Sequence, residues 1–438
     1  MSPYLSIDFK SKYQSFLQVC ICFFIILACF SLHLPIAWLS ISSGLIVVLW
    51  ILKFDYFSSF KVLKRNPAAL VALALLGLYL LGLIFTKASW DLGLKFFLKY
   101  TKLLLIPIII SISPSERIRS LGLKAFLFSS LMILFISYAQ FFNLLPDLNH
   151  FLPKDTYKFN DTEGYIVFKG YIAHSILMAF AMFMMLCRFA YTKKLTYKIV
   201  WLFLAAMAFL NIIYLVHSRT GQIISILLIV FFVIYHYRIK SLLWLLMIAI
   251  SIFVFRNELL PLVPNKILET QHEIVSHDAS KDSTSTSAGR RYEIYHNTIS
   301  LIKNSYGIGF GTGSFKEEYA NFVANQHTFL LNPSNPHNQY LLTTLELGIF
   351  GLSVFLLMFY IHWNLSSHLR NREHDFLAKG LIILIFVGSL FNSLLLDATE
   401  GKFYCLLIGL LLSGYGGKKP SFFKIKPKQS IKIQKDHV

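Results

Sequence analysis

Charge is scarce in these 438 residues: 14% are Asp, Glu, Lys or Arg, where a soluble domain carries nearer a quarter. Acidic residues are scarcer still, 22 against 41 basic, for a formal net charge of +19. The deficit excludes an ordinary water-soluble globule, since 56% of the chain is hydrophobic and the apolar runs recur from end to end. Cysteine is sparse: Cys20, Cys22, Cys29, Cys187 and Cys405, each inside an apolar run. Cys20 and Cys22 stand too close together for a zinc or redox motif, so no disulfide is expected and all five read as small apolar packers. His272, His277 and His327 lack metal-ligand spacing, and no aspartate-rich run is present; no metal and no cofactor are expected. There is no internal repeat, which argues against the inverted-repeat transporter folds. No nucleic-acid motif accompanies the basic residues, so nucleic acid is not an expected partner. The N-terminus lacks a cleavable signal pattern, and its first apolar run is expected to remain as a helix.

What is present is hydrophobic length. A spanning helix needs about 20 apolar residues. The expected spans are 15–32, 34–52, 68–86, 92–112, 121–142, 170–191, 197–216, 218–236, 241–256, 338–361, 376–396 and 402–415. The fold class is therefore an all-α polytopic membrane protein with about twelve transmembrane helices. Four regions follow: helices one to nine over 1–256, a polar subdomain over 257–336, helices ten to twelve over 337–415, and a basic tail over 416–438. Alternate gaps hold 25 lysines and arginines, against six in the other gaps apart from the largest. By the positive-inside rule both termini are cytoplasmic, and the subdomain lies outside. The lysine-rich tail is suited to anionic membrane lipid.

Three polar clusters share that outer face. The first, His217-Ser218-Arg219-Thr220-Gly221-Gln222, is wedged between two apolar runs. Arg219 there either anchors a helix end by snorkelling or grips a phosphate with parallel hydrogen bonds. The second, Gly289-Arg290-Arg291-Tyr292-Glu293-Ile294-Tyr295, opens an amphipathic stretch running to Lys303. Adjacent arginines point to different helix faces, so one can meet a ligand while the other meets solvent. The third is Asn335-Pro336-His337-Asn338-Gln339-Tyr340-Leu341. Pro336 can open a helix, which places His337 in its first turn. The positive helix end would keep the imidazole neutral, either as a general base or as a hydrogen-bonded interfacial histidine.

Gly307, Gly309, Gly311 and Gly313 follow no predicted strand and read as a tight structural turn rather than a phosphate loop. Lys95, Lys99 and Lys102 fall on one face of the expected fourth helix. Charges at membrane depth usually meet a partner or a cavity. They either pair with Glu346 or line a site for a phosphorylated lipid.

In this order and spacing the clusters resemble the O-antigen ligase family, within a superfamily that includes O-antigen polymerases. The resemblance runs from about residue 170 to 415. It rests on Ser218-Arg219-Thr220-Gly221, Arg291 with Tyr295, Gly307 to Phe315, Pro336 to Leu341, Glu346-Leu347-Gly348, and Asp397 to Phe403. The family often carries tryptophan where this chain has Tyr295. The resemblance implies a GT-C-like glycosyltransferase in the bacterial inner membrane, working at the periplasmic face. It would transfer polysaccharide from undecaprenyl pyrophosphate to lipid A–core, inverting the anomeric centre without a metal. By position His337 would be the base, with Arg219 and Arg291 on the pyrophosphate and Arg290 beside them. Lys95, Lys99 and Lys102 would complete the substrate-binding set. A polymerase, with the same donor and another polyprenyl-linked glycan as acceptor, is the nearest alternative. A protein O-glycosyltransferase and a transporter or flippase stand further off.

Overall fold

The computed structural model describes residues 3–151, 164–237, 287–324 and 333–415. The expected ninth span, the tract 283–286, the bulk of the expected subdomain before 287, the basic tail, and His272, His277 and His327 lie outside the described residues.

The helices run α1 (Pro3–Ser31), α2 (Ile36–Leu52), α3 (Tyr56–Lys64), α4 (Pro67–Gly82), α5 (Trp90–Tyr100), α6 (Leu105–Ile112) and α7 (Glu116–Phe141). There follow α8 (Tyr171–Tyr191), α9 (Leu195–Leu210), α10 (Arg219–Tyr237), α11 (Ser287–Asn304), α12 (Phe315–Ala324), α13 (Gln339–Ser366), α14 (Arg372–Gly388) and α15 (Ala398–Leu412). Among the described residues there is no strand, only one isolated bridge between Gly164 and Val216. Among the described residues six helices are long and apolar enough to cross a membrane, or there are seven spans if α2 and α3, bent by 112°, count as one. The remaining apolar helices are shorter. α8 is the central post: 83% of its apolar stretch is buried, against 28% for α9 at the rim.

Several expected spans are broken, each for a local reason. The fourth is interrupted by a 3₁₀ turn, Thr101–Leu104, between α5 and α6. Pro107 has no N–H for the carbonyl of Leu103, so the α-helical ladder cannot run through. The tenth, α13, is kinked at Gly348, whose φ of 69° and ψ of −168° are open essentially to glycine alone. The glycine segment docks on that kink. Phe310 N–H donates to Leu345 O, Gly311 N–H to Glu346 O, and Ile349 N–H to Gly307 O, each at 2.8 Å. Thr312 N–H reaches Gly82 O at 3.1 Å and so ties α4 to the same place. The glycine series is thus a strap that satisfies backbone groups freed at two helix breaks, as a lipid-embedded chain requires.

The eleventh span was expected to reach residue 396. Instead α14 stops at Gly388, and the chain crosses to α15 through 389–397 without continuing the helix. The start of α13 also differs from expectation. Pro336 does not open it; Asn338 caps it, accepting from Tyr340 N–H at 2.9 Å and Leu341 N–H at 3.1 Å. His337 therefore precedes the helix, with φ at 51°.

Candidate active site

The segment 389–397 is where the polar clusters meet. Asn392 Nδ2 donates to Thr220 Oγ1 at 3.1 Å, joining the Ser-Arg-Thr-Gly turn. Ser393 Oγ donates to Asn335 Oδ1 at 2.9 Å, joining the residues before His337. Leu390 O accepts from Tyr295 Oη and from Asn338 Nδ2, both at 3.1 Å. Gln339 N–H donates to Ser389 O at 2.9 Å, and its Oε1 accepts from Leu395 and Leu396 N–H. Asn392, Ser393 and Gln339 are all buried. These bonds tie the crossing to the starts of α10 and α13, and the crossing itself leads into α15. Those starts present their positive ends to one region.

His337 is clamped through its backbone. Asn335 Oδ1 accepts its N–H at 2.9 Å, and Tyr295 Oη donates to its carbonyl at 3.0 Å. A left-handed conformation is uncommon outside glycine, and this one is held from both sides. Burial, and secondly the charge of Arg291, push the imidazole pKa below its ordinary value. The ring is accordingly neutral at neutral pH. Burial pushes the Tyr295 hydroxyl up, with Arg291 acting against it. Arg291 thus lies within electrostatic reach of both groups. It is half-buried, whereas its neighbour Arg290 is exposed.

Arg219 opens α10 directly after a tightly built turn. Asn211–Leu215 at the end of α9 forms a single π-turn, a feature frequent at functional sites. Leu215 O, unpaired at the helix end, accepts Tyr165 N–H at 2.9 Å. Behind it a chain of hydrogen bonds runs from Val167 N–H through His174, Asn211 and Ser137 to Tyr165 O. Ser218 and Ser175 hydroxyls lie 2.8 Å apart. A side chain at Gly221 would collide with Ser175. Glycine there lets α10 approach α8 and fixes where Arg219 emerges.

These are the observations on which the comparison with known proteins bears. Residues 203–356 match the O-antigen ligase family. The match supports the family reading made from the motifs, and no curated protein matches the chain. The O-antigen ligase stretch contains Arg219, Arg290, Arg291, His337 and Glu346. The crossing 389–397 lies beyond it.

The three lysines do not act as one row: the break after Tyr100 turns Lys102 away from Lys95 and Lys99, and those two line different cavities. Lys102 is buried and donates to Leu396 O at 2.9 Å and Asp397 O at 2.5 Å, so it too grips the crossing. Lys99 stays exposed, its Nζ 4.5 Å from the Phe96 ring centre. Both line a cavity of about 560 Å³ with Ser334, Asn335, Asp397 and Lys402. Lys95 lies apart, in a separate cleft with Asp91, Lys316 and Glu317. The expected pairing with Glu346 is not formed. That carboxylate accepts from Gly313 N–H at 2.9 Å and Tyr100 Oη at 3.3 Å, and so completes the strap.

Three site residues went unread in the sequence. Lys169 is 1% exposed and donates to Thr399 Oγ1 at 3.3 Å, with its pKa pushed down to about 8 by burial. Asn392 and Ser393 sat inside an apolar run taken as helix. The only signal was Gly388-Ser389 and Asn392-Ser393 interrupting that run. Among the described residues, no group of three His, Cys, Asp or Glu side chains could hold a metal ion.

Proposed function

We propose that this chain is an O-antigen ligase. It transfers polysaccharide from undecaprenyl pyrophosphate to lipid A–core at the periplasmic face of the bacterial inner membrane. The carrying observation is the crossing 389–397, which bonds to the turn of Arg219, the brace of Tyr295 and the loop of His337 at once. Twelve spans with both termini cytoplasmic fit the distribution of basic residues.

In this reading His337 accepts the proton of the acceptor hydroxyl. The oxygen attacks the anomeric carbon from the side opposite the leaving group, and inversion results. The bond to the pyrophosphate oxygen breaks, and the electron pair leaves with the pyrophosphate. Arg219 and Arg291 stabilise the charge that grows there; preorganised cations in a partly dry site do this without solvent reorganisation. Arg291 also serves His337, since a nearby positive charge keeps the imidazole unprotonated. A positioned base contributes about 10²–10⁴-fold. The cavity bearing Lys99, Lys102 and Lys402 suits the phosphates of a lipid substrate. Lys95, in its separate cleft, and the exposed Arg290 stand outside that lining.

An O-antigen polymerase would use the same donor chemistry. Deletion of the gene, followed by lipopolysaccharide gels, separates the two. Loss of capped lipid A–core with retention of polyprenyl-linked polymer is the result expected. Loss of the long polymer itself would make the chain a polymerase.

A further inference from the structure

A second cavity, of about 510 Å³, lies at the same end of the bundle. It is lined by Gln140, Asn143, Asp147, Asn149, Tyr165 and His217, with apolar patches from Leu145 and Ile166. Among the described residues no lysine or arginine lines it. That contrasts with the first cavity, where Lys99, Lys102 and Lys402 face one Asp397.

The cavity is a built one. Asn149 is buried and spends Nδ2 on Ile166 O and Oδ1 on Phe168 N–H, both at 2.8 Å. Its own N–H donates to Asp147 Oδ1 at 2.9 Å. Gln140, also buried, donates to Pro146 O at 3.2 Å. These bonds fix the floor. Each amide keeps a further N–H and further lone pairs beyond the bonds named. At the rim Asn143 stands exposed in a left-handed conformation, φ 58°, beside the exposed Tyr165 ring. The cavity adjoins the arginine turn: His217, two residues before Arg219, lines it, and Tyr165 N–H donates to Leu215 O.

Among the described residues the lining offers amides, a carboxylate and an open aromatic face, and a carboxylate with no lysine or arginine beside it disfavours phosphate. These groups suit a ligand whose hydroxyls both donate and accept and whose C–H face can lie on a ring. We propose that this cavity binds neutral sugar units of the donor glycan, while the pyrophosphate is held at Arg219. The proposal rests on the donor class given above. It adds a second subsite that holds the polymer itself rather than its lipid carrier.

The test uses the full chain in detergent and, as probe, the polysaccharide released from its polyprenyl carrier by mild acid. The released glycan has neither pyrophosphate nor lipid. Binding is read by saturation-transfer NMR and titration. Wild type and Arg219→Ala should bind it alike. Tyr165→Ala combined with Asn143→Gly should weaken it by about tenfold or more. Glycine keeps the left-handed turn at 143, and Tyr165→Phe should retain most of the binding through its ring. Unchanged thermal melting shows that the variants fold. No binding by wild type, equal binding by the double variant, or loss of binding in Arg219→Ala would each overturn the subsite. Glycan binding that depends on Tyr165, in a protein that transfers no glycan to any lipid, would uphold the subsite and overturn the ligase reading instead.

Discussion

The two ends of the helical bundle are built by different rules. At the basic end three helices start on side-chain caps: Asn66 for α4, Ser115 for α7 and Asn371 for α14. Ion pairs there join neighbours at the rim, Arg188 with Glu373 at 3.3 Å and Lys379 with Asp375 at 2.8 Å. At the other end the backbone is repeatedly broken. The π-turn before Arg219, the left-handed His337, the kink at Gly348 and the crossing 389–397 all lie there. Irregular backbone within a membrane is tolerated only where protein buries it or it lines a cavity. The first end is made for insertion and stability. The second holds strained positions in place with buried polar bonds, as binding sites do.

Substitutions should separate the ends. The largest effects belong to the arginines. Arg219→Ala and Arg291→Ala should abolish transfer while membrane insertion and melting persist, and Arg290→Ala should be mild. Transfer assays on purified protein check this. An essential Arg290 would contradict the placement of its exposed side chain. Next comes the crossing. Asn392→Leu removes the bond to Thr220 without removing a charge, and a small displacement of a reacting group can cost about a hundredfold. Transfer should fall by up to that factor with the fold retained.

The pH profile sharpens the comparison further. Burial and Arg291 hold His337 below the ordinary imidazole value. Activity should therefore be level through neutral pH and fall only in acid, as the ring takes a proton. In Arg291→Gln, residual activity should lose its acid resistance first: without the neighbouring charge the pKa rises, and the acid limb moves to higher pH. An unmoved limb would separate Arg291 from His337. The smallest effect on activity belongs to the basic end. Asn371→Ala removes a cap worth about 1 kcal/mol. The melting temperature should drop while transfer per folded molecule stays level.

Much of the candidate site stood out in the sequence because polar residues in apolar surroundings are conspicuous. Arg219, Arg291 and His337 were nominated that way, and the lysines of the opposite loops carried the proposed orientation. The crossing 389–397 could not. It works mainly through carbonyls and N–H groups of Leu390, Leu395 and Leu396, and apolar side chains say nothing about what their backbone does. Hydropathy likewise carried the fourth span straight through Pro107, although the missing N–H was visible in the sequence. Pro336 misled in the opposite direction, since the cap at Asn338 takes the role a proline can fill. The second cavity was illegible for a different reason. Its lining comes from the end of α7 and from residues near α8 and α10, which only the fold brings together.

The account stands most directly on His337 as the proton acceptor. Transfer by the purified His337→Gln protein, with both lipid substrates in detergent and donor binding measured in parallel, tests it. Glutamine keeps hydrogen bonding but cannot take the proton. Turnover should fall by about 10²–10⁴-fold with donor binding intact, because the arginines still hold the pyrophosphate. Near-normal turnover would contradict the account and reduce His337 to a positioning residue.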